Sequence, residues 1–206
     1  MGGHILLSAL CPFKLLLAVR VKVIFKGKTE VRSMFQKTKL IVGDEKVSLT
    51  YFTCLKQGNT MQATFFGDLD SSTEIPMEEG HCYEINNFSL NHTSERVRLT
   101  KNRYHIKLSN SSLILKIDPI PKSNFYCFPN FLDVYRGFVN PKFSIDIYGA
   151  VVGVGFLEEY MTKLTAGNNG RFKNLTNIEG FSKVLFEPNN VPEIDAFRNR
   201  IANRDF

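Results

Sequence analysis

Catalysis and metal binding need nucleophiles, acids, bases or ligands held close together, and this chain spreads them thinly. Its four histidines, His4, His81, His92 and His105, lie far apart. Cys11, Cys54, Cys82 and Cys127 stand singly, with no Cys-x-x-Cys pair and no histidine at ligand spacing. A tetrahedral zinc site takes four such donors at short spacings, so no structural metal is expected. Thiols this scattered read as reduced and buried, not as a disulfide framework. The acidic neighbours Asp68/Asp70 and Glu78/Glu79 sit in loop-like contexts and serve solubility. The Gly-x-x-x-x-Gly-Lys-Ser/Thr phosphate loop, the Gly-x-Ser-x-Gly elbow and the His-Glu-x-x-His helix are all missing. The expectation is a protein that is not an enzyme and uses no cofactor.

Cationic side chains are the ones in excess: 26 Lys and Arg against 20 Asp and Glu, a formal charge of +6 over 206 residues. Focused on one face, that excess favours an anionic partner. Residues 36–46 carry Lys37, Lys39 and Lys46, and residues 91–103 carry Arg96, Arg98, Lys101 and Arg103. Arg20, Lys22, Lys26, Lys28 and Arg32 accompany the first apolar run. Read blandly, these are solvated strand edges, where Lys guards against edge-to-edge pairing.

The elements that must position these groups are mostly strands. Leu15, Leu17, Val19, Val21, Val23 and Phe25 alternate with polar positions including Arg20 and Lys22, the period of a half-buried strand. Gly27 marks a bulge or corner, and residues 29–35 continue the strand. A polar loop is expected at 36–46, then a hairpin of 47–55 with 61–66 about Gln57-Gly58-Asn59-Thr60. Residues 67–80 read as a loop or short helix, followed by strands at 81–90, 96–100 and 104–108. Five strand units, interrupted between the third and fourth, form the layout of a five-stranded Greek-key OB barrel, here at residues 8–117. His81 and His105 fall on such strands and are expected to line a groove or face solvent.

Residues 118–143 interleave Pro119, Pro121, Pro129 and Pro141 with Phe125, Tyr126, Phe128, Phe131, Tyr135 and Phe138. They read as an extended linker pinned against the barrel, because the rings gain by burial. Residues 144–206 are too few for a second complete barrel and read as a partial second OB-like unit. It would have strands at 144–154 and 181–186 and a helix with Ile194, Phe197 and Ile201 on one face. The apolar start is broken by Lys14 and lacks a basic leader, so it is read neither as a cleaved signal nor as a membrane span. The Asn-x-Ser/Thr sequons at Asn87, Asn91, Asn110 and Asn174 are read as chance matches.

The order of residues adds a family resemblance. Ser8-Ala9-Leu10-Cys11-Pro12-Phe13, then Leu17-Ala18-Val19-Arg20-Val21 and Lys26 to Ser33, resembles the entry into the first central DNA-binding domain of the replication protein A large subunit family. Further matches in order are Leu55 with Gly58 and Met61 to Phe66, Glu79 to Phe88, Leu99 to Ile106, and Asp146 to Val152, so the resemblance spans residues 8–155. It is similar to plant-type and transposon-borne short copies.

The resemblance implies sequence-nonspecific binding of single-stranded DNA in replication, repair or recombination, in the nucleus, with other replication protein A subunits as partners and no membrane. Such a face combines a cationic groove tracking phosphates with aromatic rings on which bases stack. The implied contacts are Arg32, Lys37, Lys39, Lys46, Arg96, Arg98, Lys101 and Arg103, with Tyr51 and Phe88 at the two aromatic positions. The alternative is an OB domain that docks another protein and binds nucleic acid weakly or not at all.

Overall fold

The structure, a computed structural model, describes residues 4–12, 18–31, 35–50, 54–68, 75–95, 97–120, 125–126, 128–148 and 191–202. Alternation of valines with charged residues makes the first strand, β1 (Val19–Val31). Val19, Val21 and Val23 are fully buried while Arg20 faces solvent. β2 (Phe35–Thr50) and β3 (Cys54–Asp68) complete an antiparallel meander with it. The bend in β1 is a bulge between Val23 and Phe25, and Gly27 stays in register opposite Lys39. An inserted residue, not the glycine, turns the strand around the barrel.

β4 (Cys82–Asn86) pairs antiparallel with β1, and β5 (Ser89–His92) continues it. β6 (Tyr104–Leu108) pairs parallel with β3 and antiparallel with β5, and β7 (Leu113–Ile117) pairs antiparallel with β4. β4 and β5 are halves of one strand broken at Asn87, whose φ of 53° breaks the extended path. β6 and β7 are likewise one strand, interrupted by a turn that Ser112 closes onto Ser109. Counted so, five strands close on themselves: β1, β2, β3, the β6–β7 strand, the β4–β5 strand, and β1 again. This closure, with one parallel contact between the third and fifth strands, is an OB barrel.

Inward residues from every strand fill it: Val21 and Val23, Leu40 and Val42, Met61, Ala63 and Phe65, Tyr83 and Ile85, Ile106 and Leu108. Each large aliphatic side chain buried this way contributes about 1.5–3 kcal/mol. One end is closed by a short 3-10 turn (Leu7–Ala9) with Leu7 and Leu10 buried; the Leu7 amide donates to Asp44 Oδ2 at 2.8 Å. Ile75 and Met77 close the other end beside Lys26. They lie in a loop containing turns, one of the two forms the sequence allowed; residues 69–74 are outside the described residues.

Strand pairing overrides several expectations. Residues 36–46 are not a loop but the body of β2, because Thr38, Leu40 and Val42 bury inward while Lys37 and Lys39 lie on the opposite side of the strand. The expected turn at Gln57 to Thr60 lies within β3, where Gln57 and Gly58 pair with Ser48 and Val47. Residues 97–100 form no barrel strand; Arg98 instead makes an isolated bridge to Phe143. The linker is not wholly extended, since it contains α1 (Phe131–Arg136). The Asn130 side chain accepts from the Leu132 amide at 2.8 Å, and Gly137 ends the helix at a φ of 74°. The expected C-terminal helix is present as α2 (Pro192–Ala202). Of the strand expected over residues 144–154, residues 144–148 are described and form no strand, while 149–154 lie outside the described residues, as does the strand expected at 181–186.

Candidate nucleic-acid interface

With Leu40, Val42, Met61, Ala63 and Phe65 pointing in, the intervening residues of β2 and β3 must point out. The outer face therefore carries Lys37, Lys39, Ile41 and Gly43 on β2, Gln62, Thr64 and Phe66 on β3, and His105 and Lys107 on β6. Register sets them in rows: Lys37 beside Phe66, Lys39 beside Thr64 and Lys107, Ile41 beside Gln62 and His105. This is the face an OB barrel offers to oligonucleotides.

Its electrostatics centre on one carboxylate. Glu95, in the loop between β5 and β6, places a single oxygen, Oε1, 2.8 Å from Lys39 Nζ and 3.4 Å from Lys37 Nζ. Burial alone would raise the Glu95 pKa, but the hydrogen bonds and charges of Lys39 and Lys37 outweigh it and hold the carboxyl below its ordinary value. His105 is pushed down, chiefly by burial and further by the charges of Lys37, Lys107 and Lys39, with Glu95 opposing. Lys37 Nζ also lies 5.3 Å from the centroid of the Phe66 ring, which is 47% exposed. Gln62 is only 2% exposed, and its Oε1 has no hydrogen-bond partner among the described residues.

The segment after the barrel is fastened to this face at two points. The Phe125 ring lies directly on Gly43: a Cβ there would sit 2.2 Å from Phe125 Cε1 and 3.0 Å from Ile24 Cδ1. At the β5–β6 loop, the Arg98 amide donates to the Lys142 carbonyl (2.7 Å) and the Ser144 amide to the Arg98 carbonyl (3.0 Å). The Phe143 ring packs 5.2 Å from the Arg98 guanidinium carbon. Beyond it, Phe128, Tyr148 and Phe197 of α2 meet edge to face.

Of the residues singled out in the sequence, Lys37 and Lys39 come together on the face. Lys46 lies further along β2, within the irregularity between Gly43 and Val47. Arg98 is used within the loop, donating to the carbonyls of Lys101 and Asn102 and resting on Phe143. Lys101 and Arg103 are exposed in that loop. Phe88 packs against the core from the bend between β4 and β5. Arg32, Tyr51 and Arg96 lie outside the described residues. Phe66, Gln62, Glu95 and Lys107 were missed. Strand parity held the signal for Phe66: with Met61, Ala63 and Phe65 inward, its ring must face out.

Among the described residues, no cluster of His, Cys, Asp and Glu could hold a metal ion, and no helix is long and apolar enough to cross a membrane. Cys82 is a buried free thiol and Cys11 a half-buried one.

A family model described as Domain of unknown function DUF223 matches residues 8–137. No curated protein matches the chain. Among solved structures, a replication protein A heterotrimer bound to ssDNA aligns at 18% identity and a TM-score of 0.45, over 63% of this chain and 29% of the other. An OB domain from Thermoplasma acidophilum aligns at 12% identity and a TM-score of 0.40, over 59% of this chain and 93% of that one. Schizosaccharomyces pombe Pot1pC bound to ssDNA aligns at 14% identity and a TM-score of 0.38, over 57% and 88%.

Proposed function

This chain belongs to the DUF223 family, and from that premise we propose that it binds single-stranded DNA, without catalysis, on the outer β2–β3–β6 face of its OB barrel. The observation that carries the reading is the convergence on that face of Lys37, Lys39, Lys107 and His105 beside the exposed ring of Phe66. The lysines take phosphate oxygens, and Phe66 offers a platform for one base. Phe66 replaces Phe88 as the aromatic of the site. Arg98 acts by shaping the β5–β6 loop, from which Lys101 and Arg103 reach the strand. A role in DNA replication, repair or recombination, a nuclear location and partnership with replication protein A subunits belong to the same proposal and rest on the sequence resemblance.

Fluorescence anisotropy with a labelled oligothymidine tests it. Saturable binding at low salt is expected, weakening about tenfold when salt is raised fourfold, as about two to three phosphate contacts on a single strand require. Absence of binding at low salt would refute the proposal. Salt-insensitive binding would remove the lysines from the contact. The interaction-module reading is favoured by one observation, the seating of Phe125 on Gly43, which covers the adjoining part of the face; failure to bind the oligonucleotide is the result that reading expects.

A further inference from the structure

We propose that the Glu95 carboxylate occupies, in the free protein, the seat that a backbone phosphate takes on Lys37 and Lys39, so that Glu95 is a built-in competitor which a bound strand must displace. This rests on the single-strand reading above and deepens it. Two ammonium groups from alternate residues of one strand converge on the same oxygen atom, Glu95 Oε1, at 2.8 and 3.4 Å. Paired Nζ groups would hold a phosphate oxygen in the same way, because both anions accept charge-assisted hydrogen bonds of similar length. All three side chains are largely sheltered, with 16% of Lys39, 22% of Lys37 and 28% of Glu95 exposed. An anion in this seat is therefore only weakly screened by solvent.

Glu95 is placed to leave. It belongs to no strand and follows β5 by three residues, in a loop closed at its base by the Thr93 amide donating to the Arg103 carbonyl at 2.9 Å. The far side of that loop is held separately by Arg98 on residues 142–144. Glu95 can thus swing out while the loop stays anchored on both sides.

The consequence is thermodynamic. A phosphate arriving at bare lysines releases condensed cations from the nucleic acid, which makes affinity steeply salt-dependent. A phosphate arriving here also ejects a protein carboxylate, so affinity is lower and part of the salt dependence is lost. Like charge in the seat also discriminates against loosely held polyanions, because an incoming strand must make enough further contacts to offset the exchange.

The test measures oligothymidine affinity against salt for the full chain, Glu95→Gln, Lys37→Gln/Lys39→Gln and the triple variant, with thermal melts to establish folding. Glu84→Gln is the control. It removes the same charge from the β1–β4 side of the barrel, where Glu84 pairs with Arg20 at 2.9 Å. Glu95→Gln should bind about five- to tenfold tighter at low salt, with a log–log salt slope steeper by about 0.7, one phosphate's worth. The gain should vanish when both lysines are gone, and Glu84→Gln should show none. Glu95→Asp, which keeps the charge but draws it back by one methylene, should gain less than Glu95→Gln and serves where the latter does not fold. If the wild-type chain binds but neither Glu95 variant binds tighter, the competitor is overturned and the single-strand reading stands. A gain that persists without the lysines overturns it as well, since it would then be general repulsion. If none of the variants binds at low salt, both proposals fall.

Discussion

The two ends of one sheet face solve opposite problems. At one end Lys37 and Lys39 converge on Glu95, with His105 and Lys107 on the neighbouring β6 and Phe66 half exposed beside Lys37. At the other, a few residues along the same strand, Gly43 lies bare under the ring of Phe125 with Ile24 alongside. The first end holds charge in exchangeable ion pairs; the second is sealed by apolar contact. A surface meant for an anion must keep its cations reachable, whereas a segment that has to stay docked needs shape complementarity that water does not compete for. The difference teaches that polarity alone does not mark the usable part of an OB face: what has been laid over it by the rest of the chain matters as much.

Perturbing the sealed end should give the largest effect. Gly43→Ala places a methyl group where Phe125 Cε1 and Cδ1 already are, 2.2 and 2.4 Å away, so the ring must leave. A loss of about 1–3 kcal/mol in chemical denaturation is expected, similar to that of Phe125→Ala. Because both substitutions undo the same contact, the double variant should lose hardly more than either alone. Additive losses would mean that the ring does not depend on the glycine.

The open end is probed next. Phe66→Ala should weaken oligothymidine binding about tenfold through loss of one stacked base, with little change in melting temperature because the ring is 47% exposed. Equal affinity in the folded variant would take Phe66 out of the site.

The smallest effect is a pH dependence. His105 has a lowered pKa, so the unfolded chain, with an ordinary histidine near 6.5, takes up a proton before the folded one does. The stability this histidine contributes is present above that value and is lost as pH falls below it toward the folded pKa. Denaturation midpoints should therefore drop from pH 7.5 to 5.5 by more in the wild-type chain than in His105→Gln. The affinity for DNA should move the other way, since a phosphate nearby favours the protonated ring. Identical midpoint shifts in the two proteins would dissociate His105 from the acid sensitivity.

How much of this was legible beforehand depends on the range of the interaction responsible. Alternation identified β1 from Val19, Val21 and Val23, β6 from the run Tyr104 to Leu108, and the helical face of Ile194, Phe197 and Ile201. The strand count pointed to an OB barrel, and the closure bears that out. Residues 36–46 misled because their lysines look like a loop until both flanking strands are paired. Gln57-Gly58-Asn59-Thr60 misled because turn residues carry no information about a partner strand that straightens them.

What the sequence by itself determined was a period-two pattern, a cationic excess and the two lysines at 37 and 39, all local properties that neighbouring residues fix sterically and by composition. Tertiary structure alone decided which anion those lysines meet, because Glu95 is some 56 residues further along the chain and reaches them only once β6 has paired in parallel with β3. It decided equally that Phe125 seals Gly43 across 82 residues of chain. Contacts closed over such distances are selected by the packing of the whole barrel, and no local pattern encodes them.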